Sequence, residues 1–391
     1  MMVASVSLAW KNLTHDRRKL ALALAGVAFA VLLMFQQRGF NHALFDSTVE
    51  LVRRLDADLL VFNRARFALT SELRFPKEIL ERLASEPGVG SVRPLYLENK
   101  LATAHRAGLP ARPIRVVGLD LTTLPFQDAA GEVNAGLAAL QRPDTALLDR
   151  LSKDYYGFDL RVARRGEVQS AELSGRQVQI AGLFSLGCDF AHEGNLVMSS
   201  ENFAKYFRYR AADPLSVVDL GLVKLEAGAD RELVLNGLRE RLPQSVELMT
   251  REEFEQREIN FWARSTPIGI IFAIGAGIGF AVGVIICYQI LATDIADHYR
   301  ELATLMAMGY GKPFFFKLVL QQAWWLAILG YLPGLALSWL LFQLNASWTG
   351  LLMQLTWERA LTILVLTLVM CSLSALLAIR KLLAADPASL F

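Results

Sequence analysis

The chain has 391 residues, 53% of them hydrophobic and 20% charged, with a mean hydropathy of +0.33 and a net charge of +2. That balance is too apolar for an ordinary soluble protein and too polar for a chain that is all membrane, so it fits a protein that is part membrane and part aqueous. The near-neutral charge gives no basic field for nucleic acid, and three cysteines (Cys188, Cys287 and Cys371) make no disulfide framework.

The amino end carries Lys11, Arg17, Arg18 and Lys19, then Leu20 to Gln37 runs without a charge. A cleaved signal peptide would need small residues where that run ends. Met34-Phe35-Gln36-Gln37-Arg38 offers none, so the run is expected to stay as an uncleaved span within residues 1–40. Ala21, Ala25, Gly26 and Ala28 suit close helix packing.

Residues 41–264 form a long hydrophilic middle. Ala57 to Asn63 reads as a strand, Pro76 to Ser85 as a helix with Pro76 in its first turn, and Val89 to Leu97 as a strand after the Pro87-Gly88 turn. The same order returns late: Val217 to Leu225 a strand, Asp230 to Leu242 an amphipathic helix, Ser245 to Met249 a strand. Two such units imply a split α+β module with halves at 41–123 and 210–264. The part between, 124–209, reads as an inserted, mostly β lobe with turns at Arg165-Gly166 and Ser174-Gly175. Arg251 to Arg264 is polar, helical, and continuous in pattern with the span that follows.

That second span occupies 265–293, with Pro267 at its start. Gly275, Gly279 and Gly283 fall on one stripe, a small-residue face for another helix. A third span at 318–342 contains Pro333-Gly334, which predicts a kink. A polar-aromatic connector, 343–359, holds Trp348 and Trp357. A fourth span covers 360–379, and a short tail, 380–391, begins with Arg380-Lys381. Residues near the spans set the orientation. The amino end, the connector with Arg300, Lys312 and Lys317, and the carboxyl end are all basic, whereas 343–359 has only Arg359. Positive-inside bias therefore puts both termini and the 294–313 segment in the cytoplasm, and the long middle outside.

Residues 294–313 lie between the second and third spans. Ile295, Tyr299, Leu302 and Met306 recur at helical spacing on one face, with Asp297, Glu301 and Thr304 opposite and Arg300 at the edge. Gly309 and Pro313 stop the helix. The plain reading is a connector lying on the membrane surface. The functional reading is a helix that offers Asp294, Asp297, His298, Arg300, Glu301, Thr304, Leu305, Met308 and Gly309 to a soluble partner.

Chemistry of its own is not indicated. Gly309-Tyr310-Gly311-Lys312 lacks phosphate-loop spacing and is followed by Pro313, and Gly275-x-Gly277-x-Gly279 lies inside a span. Cys188 and His192 are four apart with no further ligand, so a metal is not indicated. Asp189, His192 and Glu193 are better read as capping a loop than as acid and base. No span carries an ionisable residue at mid-depth, which disfavours an ion-driven carrier. The chain is thus expected to be no enzyme and to bind no cofactor directly, with any work supplied by a cytoplasmic ATPase. Four spans with small-residue faces also call for a second copy.

One span, a large outer domain and three spans, with Tyr299 to Gly309 after the second, resembles the MacB/FtsX/LolC superfamily of ABC permeases (type VII). The closer resemblance is to the DevC family, over three stretches. These are Leu8-Ala9-Trp10 to Asp58-Leu59-Leu60-Val61, including Phe45-Asp46-Ser47; Pro87-Gly88-Val89 to Pro94-Leu95-Tyr96; and Asp189-Phe190-Ala191 to Asn202-Phe203, including Gly194-Asn195-Leu196. Ser152-Lys153-Asp154-Tyr155-Tyr156 departs from that pattern. The resemblance implies a membrane α-helical protein of four transmembrane helices with a large extracytoplasmic, MacB-like α+β domain between the first and second. It also implies the permease subunit of an ATP-driven exporter in the bacterial inner membrane, moving an amphiphilic or lipid-like cargo by mechanotransmission. Its implied partners are a DevA-like ATPase that hydrolyses ATP with Mg, a second permease copy as a homodimer, a DevB-like membrane fusion protein and a TolC-like outer-membrane duct. An FtsX-like regulator of cell-wall hydrolases and a LolC-like lipoprotein-release permease are the alternatives.

Overall fold

The computed structural model describes residues 10, 14, 16–122, 126, 132–164, 167–189, 191–349 and 355–384. Lys11, Phe190, the Arg165-Gly166 turn, residues 350–354 of the connector and residues 385–391 of the tail lie outside the described residues. The chain divides into two compact units. One holds residues 1–42, 267–348 and 353–391, and the other holds 43–266 and 349–352.

The first helix, α1 (Arg17–Arg54), is 38 residues long and does not stop near Arg38, where the charge-free run ends. Val49, Leu51 and Val52 keep an apolar, helix-spaced face beyond that point and are buried in the core of the second unit. The boundary expected at residue 40 is therefore a change of surroundings within one helix.

In the second unit the elements run β1 (Leu59–Asn63), β2 (Phe75–Pro76), α2 (Glu78–Leu83), β3 (Val89–Glu98), β4 (Thr103–His105), β5 (Arg112–Pro113) and β6 (Arg115–Leu119). They continue with α3 (Glu132–Leu140), β7 (Thr145–Asp149), α4 (Leu160–Arg164), β8 (Gln169–Leu173), β9 (Arg176–Phe184), β10 (Asn195–Ser199) and α5 (Ser200–Tyr206). Last come β11 (Val217–Val218), β12 (Leu220–Leu225), α6 (Arg231–Arg241), β13 (Val246–Thr250) and α7 (Arg251–Arg264). Pro76 lies in β2, paired with Val217, rather than in the first turn of α2; with no N–H to give, it fits a short edge pairing. Asp230 caps α6 through the N–H groups of Glu232 and Leu233, and Thr250 with Glu253 forms a capping box on α7.

Eleven strands make one sheet in the order β13-β1-β12-β3-β6-β10-β7-β9-β8-β4-β5. The separate lobe expected at 124–209 is instead a continuation of that sheet. β10 pairs in parallel with β6, Asn195 opposite Arg115 and Ser199 opposite Leu119, and joins the two regions. Parallel pairing needs a long crossover, which leaves no local mark in sequence. β8 and β9 form a hairpin closed by Ser174 and Gly175, both with positive φ, the backbone a two-residue turn requires.

The sheet is apolar on both faces. Leu59 and Val61 of β1 point into one core with α2, α5 and α6, whereas Leu60 and Phe62 point into the other with the end of α1, α3 and Phe254 of α7. That is why the run Leu59-Leu60-Val61-Phe62 is continuous in apolarity rather than alternating.

The first unit is helical: the beginning of α1, then α8 (Pro267–Asp297), α9 (Tyr299–Ala307), α10 (Lys312–Thr349) and α11 (Trp357–Ala384). The continuity expected from α7 into the second span is broken. Ser265 ends α7 and α8 begins at Pro267, because proline disfavours helical backbone in the residue before it. α10 runs through Pro333 and on to Thr349, so the first part of the expected connector is helix. Among the described residues four helices, α1, α8, α10 and α11, are long and apolar enough to cross a membrane, and the α+β unit lies between the first and second of them in sequence.

Candidate functional site

The segment after α8 forms its own short helix because His298 leaves helical backbone, at φ −97° and ψ 14°. Its ring Nδ1 lies 3.0 Å from the carbonyl oxygen of Asp294. α9 then buries Leu302 and half-buries Tyr299 and Met306. It ends at Met308, and Gly309 takes φ +92°, the left-handed conformation that favours glycine after a helix. No atom lies within 4 Å of a Cβ at Gly309, so its backbone angle and not crowding selects it.

The nine residues expected to form one polar surface separate into two groups. Asp294 and Asp297 belong to the last turn of α8, not to α9. Asp294 accepts a hydrogen bond from Gln322 Nε2 of α10 at 3.1 Å, and Asp297 pairs with Lys19 of α1 at 2.7 Å. With His298 they tie the start of α9 to its neighbours. Helical spacing groups these carboxylates with Glu301, but their partners come from far along the chain. Asp16, Lys19, Asp294, Asp297, His298 and Glu301 also line a cavity of about 660 Å³. The second group is the outward face of α9. Arg300, Glu301, Thr304, Met308 and Gly309 are exposed, Met308 to 63%, and Leu305 is half-buried. The Thr304 hydroxyl donates to the Arg300 carbonyl at 2.9 Å and so stays on the helix surface. Arg300, Glu301, Thr304 and Met308 thus place a cation, an anion, a hydroxyl and a thioether at the surface over roughly two turns of helix.

The glycines of α8 meet α1. A Cβ at Gly275 would lie 2.8 Å from Gln37 Nε2, one at Gly279 3.7 Å from Leu33 Cβ, and one at Gly283 2.9 Å from Ala30 Cβ and in collision with Met370 of α11. The partners descend along α1 as the glycines ascend along α8, an antiparallel seam. Since α1 of the same chain fills this stripe, the stripe itself gives no reason to invoke a second copy. A second seam runs parallel: Cβ atoms at Gly330 and Gly334 of α10 would lie 2.7 Å from side-chain atoms of Val27 and Val31. The Pro333-Gly334 pair hides this seam in the sequence, because it reads first as a kink.

In the α+β unit, two of the three residues read as capping a loop, Asp189 and His192, pair with each other at 3.0 Å, whereas Glu193 is exposed. Asp189 accepts from the backbone N–H groups of Ala191 and His192 and pairs with Arg115 at 2.5 Å. Burial alone would raise its carboxyl, but Arg115 and His192 outweigh that and hold it well below the usual carboxylate range. Burial pushes the Cys188 thiol up to about 11, away from reactivity. Among the described residues no three ligating side chains gather for a metal. Sequence reading missed Glu258 of α7, whose carboxylate accepts from Leu69 N–H and Trp262 Nε1, each at 2.8 Å. Burial pushes it up to about 7, against those two hydrogen bonds and the nearby Arg66.

Residues 267–387 match the FtsX-like permease C-terminal family. Solved structures similar to this chain include the periplasmic region of MacB from Actinobacillus actinomycetemcomitans. That likeness has 11% identity and a TM-score of 0.35, over 52% of this chain and 92% of that one. The extracellular domain of the noncanonic ABC-type transporter YknZ from Gram-positive bacteria is similar at 10% identity and a TM-score of 0.33, over 49% of this chain and 98% of that one. No curated protein matches the sequence.

Proposed function

We propose, from the match of residues 267–387 to the FtsX-like permease C-terminal family, that the chain is a permease of the MacB/FtsX/LolC superfamily and the permease subunit of an ATP-driven exporter of an amphiphilic, lipid-like cargo. It is a multi-pass membrane protein, and permeases of this superfamily work with an ATPase partner. In this reading a DevA-like ATPase docks on α9 and hydrolyses ATP with Mg, and this chain binds neither. Both termini and α9 face the cytoplasm of a bacterial inner membrane, and the α+β unit faces the other side. There it meets a DevB-like fusion protein and, beyond it, a TolC-like duct. A second copy of the chain completes the permease as a homodimer.

The observation that carries the reading is the division of labour around α9. Asp294, Asp297 and His298 fasten its base to the span helices, while Arg300, Glu301, Thr304 and Met308 stay exposed. A surface pushed by a partner needs both features: free groups to grip and a rigid link to what it must move.

The test is co-purification of the ATPase with Arg300→Glu and Glu301→Lys variants. Reversing an interfacial charge is expected to weaken association by about tenfold or more, with membrane insertion unchanged. Association at the level of the unaltered protein in both variants would contradict the assignment.

A further inference from the structure

A second cleft lies in the helical unit, away from α9. It has a volume of about 350 Å³ and is bounded by α1, α10 and α11. Its floor is apolar: Phe35, Phe342 and Ile363 are each at most 2% exposed. Arg38, His42, Glu358 and Arg359 are its charged or titratable lining residues, and His42 and Arg359 each also have a polar or electrostatic partner. Arg38 makes no hydrogen bond or ion pair among the described residues and is exposed.

The depth of these groups is informative. Arg38 is the first charge after the charge-free run Leu20 to Gln37, and Arg359 is the last charge before the run Ala360 to Ile379. Two helices thus bring guanidinium groups into one cleft at the level where their apolar stretches end. An arginine at that level matches the headgroup zone of a bilayer, and its fork suits a phosphate or carboxylate. The adjoining surface is apolar. Trp357, Leu361, Val365 and Val369 are exposed at every fourth position of α11. At 100° per residue this row borders the one that carries Glu358 and Thr362 into the cleft.

We infer that this cleft holds the anionic headgroup of an amphiphile whose acyl chain lies along the Trp357–Leu361–Val365 row. The headgroup lies between Arg38 and Arg359, over the Phe35 and Phe342 floor. Glu358 disfavours a second negative charge, so a singly charged phosphodiester fits better than a phosphomonoester. The inference rests on the four-span reading and not on the ATPase.

The full chain, purified in detergent, is mixed with equal phosphatidylglycerol and phosphatidylcholine, and the lipid it retains is measured by native mass spectrometry. Preferential retention of phosphatidylglycerol is expected. Arg38→Gln and Arg359→Gln should each lower that preference by about fivefold, whereas Lys317→Gln, near the other end of α10, should not. Millimolar inorganic phosphate should not displace the lipid. Equal retention of the two lipids, a preference that survives the double arginine variant, or displacement by phosphate alone would overturn the inference. No ATPase is present, so this result and the docking result can fail separately.

Discussion

The two units bury polar groups by opposite means. In the α+β unit, full charges are buried and paired: Asp219 meets Arg66 at 3.2 Å, also pairs with Arg210, and accepts the Leu97 N–H at 2.8 Å. In the helical unit, Gln322 apart, the buried polar groups among the described residues are hydroxyls that bond to helix carbonyls. Thr367 donates to Ile363, Ser338 to Gly334, and Ser374 to Met370 and Val284. The difference follows from the solvent. A domain in water has a large hydrophobic drive and can enclose a satisfied ionic network. Helices in lipid have no such drive and associate through close approach, which here means glycine.

That contrast can be broken first at Asp219. Asp219→Asn leaves Arg66 and Arg210 buried beside a neutral partner, and removing one member of such a group costs about 3–5 kcal/mol. Thermal unfolding of the full chain in detergent should show the loss. Next come the seams. Gly283→Leu and Gly334→Leu force side chains into Met370 or Val31, for an expected cost of about 1–3 kcal/mol each. Gly277→Leu, on the same helix with nothing within 4 Å of its Cβ, should be silent. If Gly277 and Gly283 tolerate leucine equally, the seam is not what holds α1 to α8.

A smaller effect sharpens the comparison by pH. Glu258 is raised from 4.5 to about 7 by burial. A carboxyl whose folded value is raised contributes stability that is complete below its unfolded value and fades as pH rises through the folded one. Stability should therefore decline between about pH 4.5 and 7, and Glu258→Gln should flatten that decline in thermal melts run across the range. The smallest effect on stability belongs to Arg300→Glu and Glu301→Lys. Both side chains are exposed and make no ion pair among the described residues. Their melts should stay within about 0.5 kcal/mol of the unaltered protein.

Much of the fold was legible because its causes are local. The four apolar runs, the amphipathic helix α6 and the strand at Leu59 to Asn63 depend on neighbours a few residues apart. What was not legible depends on distant partners. The parallel pairing of β6 with β10 joins residues about eighty positions apart. The Lys19–Asp297 pair, which takes Asp297 away from the expected docking face, joins the first and second spans. At the candidate site the exposed half, Arg300 to Met308, followed from helical spacing. The anchored half did not, because nothing in the spacing of Asp294, Asp297 and Glu301 says which of them another helix will meet. The end of α1 was missed for a further reason: Arg38 resembles a span's end, whereas the helix changes only what surrounds it.

The account depends most on the side of the membrane that α9 faces. Thr304→Cys, at an exposed position on α9, and Ala227→Cys, in an exposed turn of the α+β unit, can each be treated in cells with a membrane-impermeant thiol reagent. The native Cys188, Cys287 and Cys371 are buried and give little background. The expected result is labelling at position 227 in cells with an intact inner membrane, and labelling at position 304 only after that membrane is opened. Labelling at position 304 while the inner membrane is intact would place α9 on the wrong side for an ATPase and contradict the account.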